Sequence, residues 1–138
     1  MAVERTLILA KPDAVARGLA GEIVARFERR GFALRAARLL TVDRGLAQQH
    51  YAEHAEKPFF GELCEFITSG PTLAFVLEGE GAIATARKTI GATNPADADP
   101  GSLRGSLALA MPDNLVHGSD SPESAEREIA LWFPDGLV

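Results

Sequence analysis

The chain has 138 residues, with 14 Lys+Arg against 19 Asp+Glu and a formal charge of −5. That length suits one domain, residues 1–138, able to bury roughly two-thirds of its unfolded surface without a disulfide or a metal. A 46% apolar and 24% charged composition excludes disorder, a lone cysteine excludes a disulfide framework or Cys-cluster zinc site, and no apolar run nears a membrane span.

The opening residues Met1-Ala2-Val3-Glu4-Arg5 do not begin a signal peptide, so the expected compartment is the cytoplasm. Charge is unevenly placed. Residues 1–44 carry nine basic and five acidic side chains, which raises a nucleic-acid surface as one reading. A solvated helix face explains the excess more simply, with Arg26, Arg29 and Arg30 together and Glu22 able to pair with Arg26 at i,i+4.

Taken in order, residues 6–10 (TLILA) read as a buried strand, closed by a turn at Lys11-Pro12-Asp13. Ala20, Ile23, Val24 and Phe27 recur at helical spacing, and Gly31 can end that helix. Residues 32–40 suit a strand better than a helix. Asp43 can cap a helix running to His54, before Lys57-Pro58 breaks it. Phe60, Leu63, Cys64 and Ile67 repeat the helical period, which makes Cys64 inert packing rather than a nucleophile. Residues 72–78 (TLAFVLE) are the clearest strand, and 82–90 form a helix closed by Gly91. Residues 91–105 are a long loop by composition, and a loop of that length is usually functional. The last helix opens with Ser121 as N-cap and Pro122 at its first position, with Ala125, Ile129 and Trp132 as its buried stripe. This order predicts an α+β fold: a ferredoxin-like sandwich of a four-stranded antiparallel sheet covered by helices.

Three groups of residues bear on chemistry. Gly79-Glu80-Gly81-Ala82-Ile83-Ala84 fits the loose dinucleotide fingerprint, but no strand precedes Asp97 or Asp99 to place a ribose-binding acid; a tight turn explains the glycines better. His50 and His54 at i,i+4 lack a third ligand, so surface or partly packed histidines are the better reading. The third group is Asn114-Leu115-Val116-His117-Gly118-Ser119-Asp120-Ser121. There a histidine ends an apolar run, a glycine allows close approach, and a helix start favours anions, with Glu128 one to two turns inside to orient the imidazole. That setting suits phosphoryl chemistry.

The segment NLVHGSDSPESAEREIALWFP closely resembles the active-site signature of the nucleoside diphosphate kinase family. ERTLILAKPD, HYAEHAEKPFF, SGP and GATNPADADPGSLRG extend the resemblance, in order, over almost the whole chain. It implies ping-pong transfer of the γ-phosphoryl of a nucleoside triphosphate to a nucleoside diphosphate, with His117 as the nucleophile, phosphorylated on Nδ1 in the family. It implies phosphate contacts from Arg87, Thr93 and Arg104, with Tyr51 near the reacting group. Lys11 and Asn114 would bind the sugar hydroxyls, with Lys11 also adding charge at the phosphates as one of the catalytic set, and Phe59 would stack on the base with broad base tolerance. Ser119 and Glu128 would orient His117. Mg²⁺ would ride mainly on the nucleotide phosphates, with Asp120 touching it at most through water. The partners implied are nucleotides and further copies of the chain, a hexamer ahead of a tetramer, with no stable nucleic acid and no membrane.

The chain departs from the family pattern in places. Ala14 stands where glycine is common, Ser106-Leu107 where Asp and an aromatic are usual, and Met111-Pro112-Asp113 precedes Asn114 atypically. Ending at Val138, it resembles bacterial members, which lack the extension of many eukaryotic ones. A catalytically silent relative and a small nucleic-acid-binding domain are the competing readings, and the intact His117 and Glu128 weigh against the first.

Overall fold

The computed structural model describes residues 2–138; Met1, which begins the stretch weighed as a signal peptide, lies outside them. Strand β1 (Val3–Ala10) runs straight into α1 (Pro12–Ala16), so Lys11-Pro12-Asp13 is a helix start rather than a simple turn. Proline at the first helical position has no N–H to lose and a φ already suited to the helix, which explains the change. Helix α2 (Ala20–Arg30) buries Ile23 and Phe27 and ends at Gly31, whose φ of 107° is the left-handed value that favours glycine. Strand β2 (Ala33–Thr41) follows, with a register shift between Leu34 and Ala36.

Asp43 caps α3 (Arg44–His50) as expected, accepting from the Leu46 N–H at 2.8 Å. The helix stops at His50, however, and His54 lies in a separate 3₁₀ turn (Ala52–His54). The two histidines therefore do not share a helical face. Helix α4 (Phe60–Ile67) buries Cys64, and burial pushes its thiol pKa up, so the inert reading holds. Strand β3 (Pro71–Glu80) and helix α5 (Ala82–Ile90) meet at Gly81, which has a φ of 55°.

The stretch expected as a loop contains a 3₁₀ turn (Pro95–Asp97) and helix α6 (Leu103–Leu107). Two short polar side chains nucleate them: Asn94 accepts from the Ala96 N–H, and Ser102 accepts from the Gly105 N–H at 3.0 Å. Strand β4 (Val116–Gly118) and helix α7 (Pro122–Trp132), capped by Ser121, complete the fold.

The sheet order is β2-β3-β1-β4, every pair antiparallel, as the ferredoxin-like expectation requires. Alternation along β1 feeds two cores. Ile8 and Ala10 face one with Ile23, Phe27 and Phe75, while Leu7 and Leu9 face the other with Ile67, Val76 and Trp132. Among the described residues, no helix is long and apolar enough to cross a membrane. Ala14 is fully buried inside α1 with an ordinary negative φ, so the departure there is accommodated.

Candidate active site

His117 sits in the middle of β4, directly opposite Leu9 in register. The strand is entered through a tight γ-turn. The Val116 N–H bonds the Asn114 carbonyl at 2.8 Å, and Leu115 between them takes a φ of 68°, unusual for a residue with a Cβ. Two bonds hold that strained residue: its N–H donates to Asp13 Oδ2 at 3.0 Å, and its carbonyl accepts from the Lys11 N–H at 2.8 Å. The Lys-Pro-Asp segment thus fixes the backbone immediately before the histidine.

The His117 ring is held at one nitrogen. Nε2 lies 2.8 Å from Glu128 Oε1, and Ser119 Oγ donates to the same oxygen at 2.9 Å. Glu128 is buried, which alone would raise its pKa; the bond from His117 and the nearby imidazoles outweigh burial and hold it below the usual carboxylate range. An ionised carboxylate only accepts, so Nε2 carries the proton and the lone pair of the neutral ring resides on Nδ1. Ser119, expected with Glu128 to orient the histidine, reaches it through that carboxylate, and its Oγ also accepts from the Leu7 N–H at 3.2 Å. Gly118 was expected to admit a ligand. A Cβ there would meet the tip of the Ile90 side chain, Cδ1, at 2.6 Å, so the glycine also lets β4 lie close against α5.

Two arginines flank His117. Arg87 Nη1 donates to the Gly118 carbonyl at 3.0 Å and pairs with Asp120, and Arg104 Nη2 donates to the Val116 carbonyl at 2.5 Å. Arg104 is buried and also bonds the carbonyls of Asn114 at 3.0 Å and Gly91 at 3.1 Å. Burial, with Arg87 nearby, lowers its pKa to about 10, still charged at neutral pH. Ser106, flagged as a lost carboxylate, accepts from Arg26 Nη2 at 2.7 Å and donates to the Ser102 carbonyl at 2.7 Å, so the turn carrying Arg104 keeps its anchor. Arg26 pairs with Glu22 as the spacing suggested, and it also bonds the Gly101 carbonyl; it braces this loop and is not merely a solvated charge.

Asn114 is buried between Lys11, whose Nζ donates to Oδ1, and the Thr93 carbonyl, which accepts from Nδ2 at 2.9 Å. Burial lowers the Lys11 pKa to about 8, with Asp13 opposing and Arg104 reinforcing the shift. Thr93 is exposed above Asn114. Phe59, at the start of α4, is 44% exposed, with Lys57 Nζ 5.7 Å from its ring centroid and the His54 ring 5.7 Å away. Tyr51 follows α3, its ring 4.8 Å from that of His50, and burial raises its pKa to about 12, so it is a neutral hydroxyl.

The residue that sequence reasoning missed is His50. It is buried, its Nδ1 accepts from Trp132 Nε1 at 3.1 Å, and its ring stands edge-to-face against His117 with centroids 4.7 Å apart. Its partner lies 82 positions along the chain, and no local pattern signals that contact.

A phosphate-favouring pair of arginines on either side of a partly exposed histidine with a free Nδ1 fits nucleotide phosphotransfer, and the comparisons agree. The nucleoside diphosphate kinase family model matches residues 4–138. The chain belongs to the nucleoside diphosphate kinase family. It is 63% identical over 134 residues to the nucleoside diphosphate kinase of Frankia casuarinae, covering 97% of this chain and 98% of the relative. With that of Halalkalibacterium halodurans the identity is 60% over 131 residues, covering 95% and 89%. The fold superposes on a halophilic nucleoside diphosphate kinase from Halobacterium salinarum, solved in complex with CDP, with a TM-score of 0.95, 47% identity and coverage of 99% and 92%. As a nucleoside diphosphate kinase, the chain transfers the γ-phosphoryl of a nucleoside triphosphate to a nucleoside diphosphate, by the ping-pong route through a phosphohistidine that characterises the family.

Proposed function

We propose that the residues around His117 divide this transfer as follows. The His117 Nδ1 lone pair attacks the γ-phosphorus in line; the Nδ1–P bond forms as the bond to the bridging oxygen breaks, and the diphosphate leaves. The second half-reaction reverses the step toward a terminal oxygen of the incoming diphosphate. Phosphorylation at Nδ1 makes the ring cationic, and the Glu128 carboxylate, kept ionised and aligned by Ser119, offsets that charge across the Nε2–H bond. Arg87, Arg104 and Thr93 hold phosphate oxygens around a loose transition state, for which positioning and charge neutralisation are the main catalytic needs. Arg104 spends three of its five N–H groups on backbone carbonyls, so it presents the remainder from a fixed frame. Lys11 and Asn114 bind the sugar hydroxyls, Tyr51 stands near the reacting group, and Phe59 stacks on the base. Stacking reads no base edge, in keeping with broad base tolerance.

The donor sets fit a magnesium–nucleotide substrate. Mg²⁺ takes oxygen ligands and usually arrives on phosphates; the rim carboxylate Asp120, 69% exposed and paired with Arg87, is of the right class to reach it through water. When bound, the ion neutralises charge on the phosphates. Residues 1–138 act as one domain in the cytoplasm, on free nucleotides rather than nucleic acid or membrane. Exposed Leu34, Leu39 and Leu109 support assembly into a homo-oligomer, the family resemblance puts a hexamer ahead of a tetramer, and light scattering reads that mass.

The observation that carries these roles is the single-sided hold on His117, with Nε2 bonded and Nδ1 free. Intact mass after brief incubation with ATP and Mg²⁺ tests it. One phosphoryl adduct is expected on the wild type, absent in His117→Ala and discharged by a nucleoside diphosphate. A folded wild type that binds nucleotide and gains no adduct would overturn the assignment.

A further inference from the structure

His50 is a buried, potentially titratable group for which the transfer described above has no use. With His117 and Glu128 it places three ligand-type atoms within 4.8 Å of one another, the spacing of a transition-metal site. Trp132 argues against that chemistry. An indole N–H only donates, so His50 Nδ1 accepts and its proton sits on Nε2. Ligation through Nε2 would push that proton to Nδ1, against the indole N–H.

What the cluster does offer is a rigid aromatic wall. The His50 ring meets Trp132 at 5.5 Å and 87°, Tyr51 at 4.8 Å and 77°, and His117 at 4.7 Å and 77°, all edge-to-face. Its carbonyl accepts from Arg127 Nη2 at 3.4 Å, tying the end of α3 to α7. A hydrogen bond at one corner of an imidazole leaves the ring free to tilt about that corner. A second contact on the ring removes the freedom, and edge-to-face pairs contribute beyond simple burial.

We propose that His50 is a positioning residue for phosphoryl transfer: its ring, packed edge-to-face between Trp132 and His117, fixes the plane of the His117 imidazole so that Nε2 stays on Glu128 and Nδ1 stays aligned for attack. The inference deepens the reading of His117 as the nucleophile and rests on it. The charged and titratable groups facing His50 are Glu128 and Arg127 on α7, His117 on β4 and His54 in the 3₁₀ turn. Burial first, and then His117, lowers the His50 pKa to about 3, so the wall does not become a cation beside the nucleophile at neutral pH.

Three variants separate the parts. His50→Phe keeps a ring, His50→Asn keeps an acceptor for Trp132 without the wall, and His50→Ala removes both. Single-turnover formation of phosphohistidine from ATP and Mg²⁺ should slow about 10–100-fold in the Asn and Ala variants and less than about 3-fold in Phe, with nucleotide KM nearly unchanged, since small misplacements of a reacting atom cost that much. Nitrogen-15 NMR of His117 should show a fixed Nε2–H tautomer in wild type and Phe, and averaging in Asn and Ala. A wild-type rate in Asn, a Phe variant as slow as Asn, or a rise in KM with kcat intact would each overturn the proposal. If Ala does not fold, the Asn and Phe pair decides. The nucleophile assignment is read separately, from the wild-type adduct and its absence in His117→Ala.

Discussion

Ser119 Oγ and His117 Nε2 converge on one oxygen, Glu128 Oε1, at 2.9 and 2.8 Å. The serine therefore reaches His117 only through the carboxylate. Glu128→Gln keeps an acceptor near Nε2 but loses the charge that offsets a phosphorylated ring, so kcat should fall about 10–100-fold with nucleotide KM little changed. Ser119→Ala should cost less, about 3–10-fold, because one hydrogen bond to the carboxylate is lost while the charge stays. Stopped-flow measurement of both half-reactions checks the order; a Glu128→Gln enzyme at wild-type rate would remove Glu128 from the mechanism.

Lys11 gives the site an alkaline limit. Its pKa is lowered to about 8, so the free enzyme loses this cation, and its donor capacity toward sugar and phosphate, as pH rises through that value. The expected profile of kcat/KM, which reports groups in the free enzyme, falls above about pH 8. Arginine at this position stays charged, so Lys11→Arg should lower activity overall but flatten that limb. An unaltered limb in the variant would assign it to another group.

His50 makes an acid-side contribution to stability. Its folded pKa is about 3 against 6.5 for the free side chain, so between those values the unfolded chain binds a proton that the native one does not. Stability from this group is complete above about pH 6.5 and is lost as pH falls toward 3. From pH 6.5 to 5 the loss is about 2 kcal/mol, at 1.36 kcal/mol per unit. Thermal denaturation at pH 7 and pH 5 should show a smaller drop in Tm for His50→Asn than for wild type.

The turn carrying Arg104 is tightest at Gly105, where a Cβ would lie 1.9 Å from the Asp99 carbonyl oxygen. Backbone cannot yield as a side-chain tip can. Gly105→Ala should therefore displace the segment that fixes Arg104, costing about 2 kcal/mol or more of stability and most of the activity. Ser106→Asp, placed against Arg26, should instead be neutral or stabilise by up to about 1 kcal/mol, the usual range for a partly exposed ion pair. Denaturant titration should show a loss of stability in Gly105→Ala and none in Ser106→Asp.

Local signals in the sequence carried most of the architecture. Ile23, Val24 and Phe27 with Gly31 marked α2, Asp43 and Ser121 marked helix starts, and the apolar run through Phe75 marked β3, because each depends on neighbours within one or two turns. Composition misread residues 91–105, since Pro, Gly and Asp enrich capped short helices as much as open loops; Asn94 and Ser102 were the caps to weigh. His117 and Glu128 were legible from their spacing along β4 and α7. The burial of His50 was not, because it depends on Trp132 arriving from the other end of the chain. Nor was the closeness of Gly118 to Ile90, which arrives from helix α5.

The strand that bears His117 is three residues long, lies at the rim of the sheet and, among the described residues, pairs with β1 alone. Its carbonyls on either side of His117 are closed by guanidinium groups, from Arg104 at Val116 and Arg87 at Gly118, in place of a further strand. In hydrogen-exchange terms β4 is a small foldon, anchored by fewer backbone bonds than the eight-residue ladder between β1 and β3. Catalysis therefore rests on one of the least protected parts of the sheet: on gentle heating, turnover should fade through local opening of this rim while the central ladder is still intact.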